Sequence, residues 1–344
     1  MNLHLMILSK TTIDFIKFLE KNIGLEEHEF IFWKGENPHK IELENTSKIT
    51  ILENKKDLLV FYLKLFKLKK YKRIFLHGWY FPRFTIPLFF NNYLLKKIYW
   101  IIWGEDLYSY TKRKKKKIFK RIEDYVKGNI KGYISYIKGE FKLVQKWVKA
   151  TGKFYQSFTY PSNLYKSFEF KEEEKKELWI QIGNSGEETN NHFEILEKLL
   201  QFKDQNIKLF CILSYGGSEE YKKKVIEKGY ELFSNKFYPI EKFMEFDKYM
   251  KFISLLDIAI LAHNQQQAFG NIISLLSMKK TVYLKEKVTT YETLKEMGVE
   301  IKSFDKLIDL ERFDENILEN NRKIIERNFS KEKLIEQWKN ILQS

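Results

Sequence analysis

Apolar positions fall in two rhythms along this chain. Short, nearly continuous apolar runs at 3–8, 28–33, 48–52, 73–76, 98–103 and 132–136 alternate with longer stretches whose apolar residues recur every three or four places, as in Ile13, Phe15, Ile16 and Leu19. The first kind predicts strands buried on both faces, and the second predicts amphipathic helices at 57–69, 107–127 and 138–151. A polar, charge-rich passage at 161–176 interrupts the alternation and reads as a linker. The alternation then restarts, with strands expected at 178–182, 207–214, 258–262 and 281–284. Helices are expected up to 202 and up to 228, and at 246–255, 269–278 and 290–297. Strands alternating with helices predict parallel sheets covered on both sides. The fold class expected is therefore α/β, with two doubly wound Rossmann-type domains at 1–160 and 177–330 facing a central cleft. A last helix at 331–344 carries Leu334, Trp338 and Leu342 on one side and is expected to pack back on the first domain.

Parallel sheets bind ligands beyond the carboxyl ends of their strands, which selects the loops to inspect. In the first half these are His77-Gly78-Trp79-Tyr80 and Gly104-Glu105-Asp106-Leu107-Tyr108. Glu105 and Asp106 follow an apolar aromatic strand, where burial can raise a carboxyl into the range of a general base. Asp106 equally suits a helix cap, and His77 equally suits a hydrogen-bonded core position. In the second half the strand at 178–182 runs into Gly183-Asn184-Ser185-Gly186, with Thr189, Asn190 and His192 following. Strand, glycine loop and helix in that order would let backbone amides and a helix dipole receive a diphosphate. The pattern is neither G-x-G-x-x-G nor the lysine-bearing phosphate loop, and two glycines also serve a plain tight turn. Tyr215-Gly216 ends the next strand, and His263, Asn264, Gln266, Gln267, Gly270 and Asn271 follow the strand at 258–262. Consecutive glutamines have no place in a core, so this loop is a ligand-binding candidate.

Charge separates the two halves. Residues 1–170 hold 33 Lys and Arg against 16 Asp and Glu, a net of +17, while residues 171–344 hold 28 against 30, a net of −2. The peak is Lys112, Arg113, Lys114, Lys115, Lys116 and Lys117, running on through Lys120 and Arg121 with aromatics interleaved. Anionic lipid attracts such a run by about 1 kcal/mol per basic residue. A solvated helix face and a nucleic-acid patch are the other two readings. No apolar run reaches 18 residues, so no membrane-crossing segment is expected. Met1 to Leu8 lacks the pattern of a secretory leader, and a cytoplasmic chain is expected. The single cysteine, Cys211, excludes a disulfide framework, and the scattered histidines predict no protein-held metal.

Four segments resemble a known family: 75–82 (FLHGWYFP), 100–108 (WIIWGEDLY), 180–192 (IQIGNSGEETNNH) and the loop 262–272. Together and in order, they are similar to the bacterial 4-acetamido-4,6-dideoxygalactosyltransferases (TDP-N-acetylfucosamine:lipid II N-acetylfucosaminyltransferases), glycosyltransferase family 56. The resemblance implies a two-domain GT-B enzyme, peripheral at the cytoplasmic face of the inner membrane and acting in enterobacterial common antigen assembly. It would move a deoxyaminosugar from a dTDP-sugar, as co-substrate and with no further cofactor, to a polyprenyl-diphosphate-linked saccharide. The family places a smaller residue where Glu105 stands, which favours Asp106 as the matched acid. Donor residues would be 183–186, Asn190, His192, Tyr215, Gly216 and the polar residues of 263–271. Trp79, Tyr80, Tyr108 and Lys112–Lys117 would meet acceptor or membrane, and no nucleic-acid partner is expected. Two alternatives stay open: another nucleotide sugar with a soluble or lipopolysaccharide acceptor, and a non-enzymatic basic binding protein.

Overall fold

The computed structural model describes residues 1–34, 44, 46–63, 65–81, 84–112, 117–168, 170 and 175–344. The chain divides into two compact units, one of Met1–Asn163 with Lys331–Ser344 and one of Leu164–Ser330.

Unit 1 is built on seven strands: β1 (Asn2–Ile7), β2 (His28–Trp33), β3 (Ile49–Leu52), β4 (Arg73–His77), β5 (Ile98–Ile101), β6 (Gly132–Ser135) and β7 (Lys153–Gln156). They pair in parallel in the order β3-β2-β1-β4-β5-β6-β7. Its helices are α1 (Lys10–Asn22), α2 (Lys55–Leu63), α3 (Thr85–Phe89), α4 (Asn92–Leu95), α5 (Glu105–Lys112), α6 (Lys117–Gly128) and α7 (Lys138–Val148). Ser9 caps α1 in a reciprocal box with Thr12. The six apolar runs expected as strands are strands, and the run at 98–103 stops two residues early. The helix expected at 107–127 is two helices, α5 and α6, whose connecting residues 113–116 lie outside the described residues.

Unit 2 has six strands: β8 (Leu178–Ile182), β9 (Ile207–Ile212), β10 (Phe237–Ile240), β11 (Ile258–Leu261), β12 (Thr281–Leu284) and β13 (Lys302–Ser303). All are parallel, in the order β10-β9-β8-β11-β12-β13. Its helices are α8 (His192–Leu199), α9 (Glu219–Phe233), α10 (Phe246–Leu255), α11 (Phe269–Ser277), α12 (Thr289–Glu296) and α13 (Glu315–Asn328). The last helix, α14 (Lys331–Gln343), belongs to unit 1. Its Trp338 is fully buried against Phe15 and Phe75, and the indole donates to the Thr159 carbonyl at 2.9 Å. Both sheets are thus doubly wound, as the alternation of rhythms predicts.

Candidate active site

In unit 1 the loops after β4 and β5 are tied together by one carboxylate. Asp106 is buried, and its Oδ2 accepts from the Trp79 amide at 2.8 Å and the Trp100 indole at 2.5 Å, while Oδ1 accepts from the Trp103 amide at 3.0 Å. Burial raises its carboxyl, with the Lys127 charge opposing. Three donors fix this group as the clasp of two strand-end loops and fill three of its four lone-pair sites, the fourth remaining on Oδ1.

His77 is engaged in the same way. Its Nδ1 lies 2.6 Å from the Tyr160 hydroxyl and its Nε2 lies 3.0 Å from Nδ1 of His4, whose Nε2 in turn lies 2.9 Å from Nδ1 of His28. The Trp103 indole donates to the same Tyr160 oxygen at 2.7 Å. Burial lowers His77 to about 3, so the ring is neutral, and both of its nitrogens lie within hydrogen-bond distance of a partner in the unit. Glu105, by contrast, stands exposed in the first turn of α5. Sequence reasoning missed Glu140, which heads α7 beyond the end of β6. It is buried and accepts from the Ser135 hydroxyl at 2.6 Å, and burial raises it to about 8. Its other oxygen has no hydrogen-bond partner among the described residues. Its signal was position alone, an acid in the first turn after a strand, the same pattern that singled out Glu105 and Asp106.

The aromatic residues expected at acceptor or membrane turn inward. Trp79 packs edge-on against Trp100 and donates to the Thr85 hydroxyl at 3.1 Å; Tyr80 lies edge-on to Trp103, and Tyr108 to Trp147, all three half-buried. All three thus line the strand-end wall of unit 1 with part of each ring still exposed. Gly78 adopts φ +75°, and a Cβ there would strike the Tyr80 ring, so glycine is what admits this ring. Lys112 ends α5 and Lys117 begins α6 exposed; Arg113, Lys114, Lys115 and Lys116 lie outside the described residues.

In unit 2 the glycine loop closes on itself. The amide of Gly183 donates to the Ile260 carbonyl at 3.0 Å, that of Asn184 to the Asn190 carboxamide at 2.8 Å, and that of Gly186 to the Tyr215 carbonyl at 2.7 Å. Helix α8 begins only at His192, after a 3-10 turn and the left-handed Asn191. Asn190 folds over the loop and takes the Asn184 amide, one of the four that the sequence offers to a diphosphate at 183–186. Gly217, at φ +69°, lies so close that a Cβ would meet the Gly186 oxygen at 1.8 Å. The loops after β8 and β9 thus form one backbone-to-backbone body.

Side chains complete it. Nε2 of His263 lies 2.8 Å from Oδ1 of Asn184 and 3.1 Å from Oδ1 of Asn190. Two carbonyl oxygens on one ring nitrogen place the hydrogen on Nε2, leaving Nδ1 as acceptor. Burial lowers His263 to about 3 and His192 to about 4, so both rings are neutral; Nδ1 of His192 lies 3.1 Å from the Tyr221 hydroxyl. Asn184 donates to the Tyr215 hydroxyl at 2.7 Å, and the Tyr215 side chain is otherwise exposed beside Gly216. Thr189 donates to Gln267 at 2.8 Å, and Lys285 bridges Asn264 at 3.0 Å and Glu194 at 2.5 Å. Gln266 in the same loop and Gly270 in the first turn of α11 are half-buried. Asn271 donates to the Tyr249 hydroxyl, and its own carbonyl oxygen is buried with no hydrogen-bond partner among the described residues. Helix α11 starts from Ala268 at φ 59° with no side-chain cap. Its positive end and the polar loop before it lie beyond the carboxyl end of β11. Tyr249 and Lys285 are the residues the sequence did not flag here.

A family model described as 4-alpha-L-fucosyltransferase glycosyl transferase group 56 matches residues 9–344. Among solved structures, the chain is similar to the trehalose-6-phosphate phosphatase N-terminal domain of Candida albicans, at 11% identity, over 99% of this chain and 96% of that one, with a TM-score of 0.68. It is similar to a glycosyltransferase from Rickettsia africae at 13% identity, over 99% and 97%, with a TM-score of 0.64. It is also similar to WaaG, a glycosyltransferase involved in lipopolysaccharide biosynthesis, at 9% identity, over 100% and 95%, with a TM-score of 0.56. These likenesses show the GT-B fold.

Proposed function

The chain belongs to the glycosyl transferase group 56 family and is a glycosyltransferase of GT-B fold, and from that premise we propose that it moves a deoxyaminosugar from a dTDP-sugar to a polyprenyl-diphosphate-linked saccharide. The donor belongs on unit 2. What carries this assignment is the convergence at the ends of β8, β9 and β11 of His263, Asn184, Asn190 and Tyr215, next to the start of α11, where Ala268 supplies no side-chain cap. In the reaction the acceptor hydroxyl attacks the anomeric carbon, the bond from that carbon to the diphosphate oxygen breaks, and the hydroxyl proton goes to a base. Negative charge grows on the departing diphosphate, and the first-turn dipole of α11 stabilises it without reorganisation. Gln266, Gln267 and Asn264 supply neutral hydrogen bonds to sugar or phosphate, and Tyr215 flanks the base. Glu105, an exposed acid in the first turn of α5 just beyond β5, takes the proton. The excess of +17 on residues 1–170 suits an acceptor that carries a lipid diphosphate and sits at an anionic membrane face.

Thermal unfolding in the presence of dTDP-, UDP- and GDP-sugars tests the donor. The expected outcome is a rise in midpoint with dTDP-sugar alone. A rise with UDP- or GDP-sugar and none with dTDP-sugar would overturn the nucleotide assignment.

A further inference from the structure

Unit 1 leaves a group of large apolar side chains in water. Phe90 is 81% exposed, Ile118 59%, Tyr93 54% and Phe119 48%, with Tyr125 also exposed. They are neighbours in space. The ring of Phe89 meets Phe90 at 5.2 Å and Tyr125 at 5.4 Å, and the Tyr125 hydroxyl donates to Asn92 at 3.1 Å, so the α3–α4 turn rests on α6. Ile118 stands seven residues before Tyr125 and shares its side of α6. The second half of this helix is packed, with Val126, Lys127 and Gly128 buried, whereas residues 117–121 are all exposed. A helix in water hides an Ile-Phe pair; one that displays it, next to Phe90, is built to bury it elsewhere.

The charge around Phe90, Tyr93, Ile118 and Phe119 is cationic, and the two acids of α6 next to Tyr125, Glu123 and Asp124, are half-buried, with Glu123 paired to Lys127. Lys117, Lys120 and Arg121 interleave with Ile118 and Phe119, and Lys97 holds its ammonium 4.5 Å from the Tyr93 ring with Lys96 exposed beside it. No Asp or Glu occurs at 58–104 or at 107–122. A second copy of the chain would set this cationic rim against itself. Nucleic acid would meet the cations and leave Phe90, Ile118 and Phe119 without apolar partners.

We infer that α3, α4 and the first half of α6 form a membrane-insertion face, which seats its aromatic and aliphatic side chains in the headgroup layer of an anionic bilayer. Exposed aromatics lie at that depth, and lysine stems run back from it to the phosphates. The purpose of this attachment rests on the lipid-linked acceptor proposed above. The residues differ from the aromatics singled out in the sequence: Trp79, Tyr80 and Tyr108 fill their own unit, and the face lies on the helices beyond them.

Vesicle co-sedimentation of the full chain decides the matter, using phosphatidylcholine with and without phosphatidylglycerol. The chain is expected to bind the anionic vesicles and to bind pure phosphatidylcholine weakly. Phe90→Ser with Phe119→Ser should weaken binding about tenfold on both vesicle types. Lys117→Glu with Lys120→Glu and Arg121→Glu should abolish the preference for anionic lipid together with its salt dependence. All five positions are exposed, and an unchanged thermal midpoint verifies the fold of each variant. The face is refuted if the unsubstituted chain ignores anionic vesicles or if the double serine variant binds like it. It is equally refuted if the chain forms a dimer that the serine substitutions dissolve. Thermal shift with nucleotide sugars on the same samples separates the two readings. Vesicle binding with no donor shift sinks the donor assignment alone, and a donor shift without vesicle binding sinks this one alone.

Discussion

At the residue scale, position within the fold divides two adjacent acids. Asp106→Asn swaps an acceptor of three donors for a group that presents its own N–H to them, leaving a buried donor unmatched at a cost of about 1–3 kcal/mol. Its main effect should therefore be a lower unfolding midpoint. Glu105→Gln should keep the midpoint and the donor-induced shift and lose roughly 100-fold in turnover; turnover like that of the unsubstituted chain would remove Glu105 as the base. Buried titratable groups give a second expectation. His28 and His192 are lowered to about 4 and His77 and His263 to about 3. A histidine whose folded value lies below its unfolded one contributes full stability above about 6.5 and loses it as pH falls toward the folded value, at about 1.4 kcal/mol per pH unit each. Glu140, raised to about 8, has the opposite sign and costs stability as pH rises from about 4.5 to 8. Between these slopes the thermal midpoint should peak near pH 6.5, and Glu140→Gln should flatten the alkaline side. A midpoint level from pH 7 down to 5 would contradict the neutral histidines.

At the element scale, the paired loops after β8 and β9 depend on a missing side chain. Gly217→Ala combines a φ of +69° with a collision at the Gly186 oxygen, so it should cost about 2–4 kcal/mol and shift the loop that carries Tyr215. Denaturation together with a weakened donor shift would read both effects. How much of this was legible in the chain depends on what each residue type can announce. Runs such as Ile98 to Ile101 and Ile258 to Leu261 declare buried strands because nothing polar survives there. Strand β7, Lys-Phe-Tyr-Gln at the sheet edge, has exposed ends and a half-buried middle and was not expected; β10 holds Pro239, and α13 is mostly polar, so these were missed as well. The loops that gather at the strand ends were legible from order alone. Which way a carboxylate or amide points was not: Asp106 and the Gly183 to Gly186 amides drew attention for being near a site, and their partners, Trp79, Trp100 and Asn190, are set by tertiary packing.

At the scale of the whole molecule, unit 1 is assembled from two pieces of chain. Trp338→Ala would empty a fully buried indole site between Phe15 and Phe75 and release the Thr159 carbonyl, a loss of about 3–5 kcal/mol confined to unit 1. Hydrogen exchange should show faster exchange in β1 and β4 and unchanged protection in β8 and β11; equal loosening of both units would count against two separate cores. The same division has a consequence during synthesis. Residues 164–330 form an unbroken stretch, so unit 2 can close as soon as they have left the ribosome. Unit 1 emerges first and yet cannot be completed first: until residues 331–344 arrive, its sheet waits with the seat of Trp338 open. The half of the protein that is translated earliest is thus the half that finishes last, and it spends the interval in greatest need of protection from aggregation.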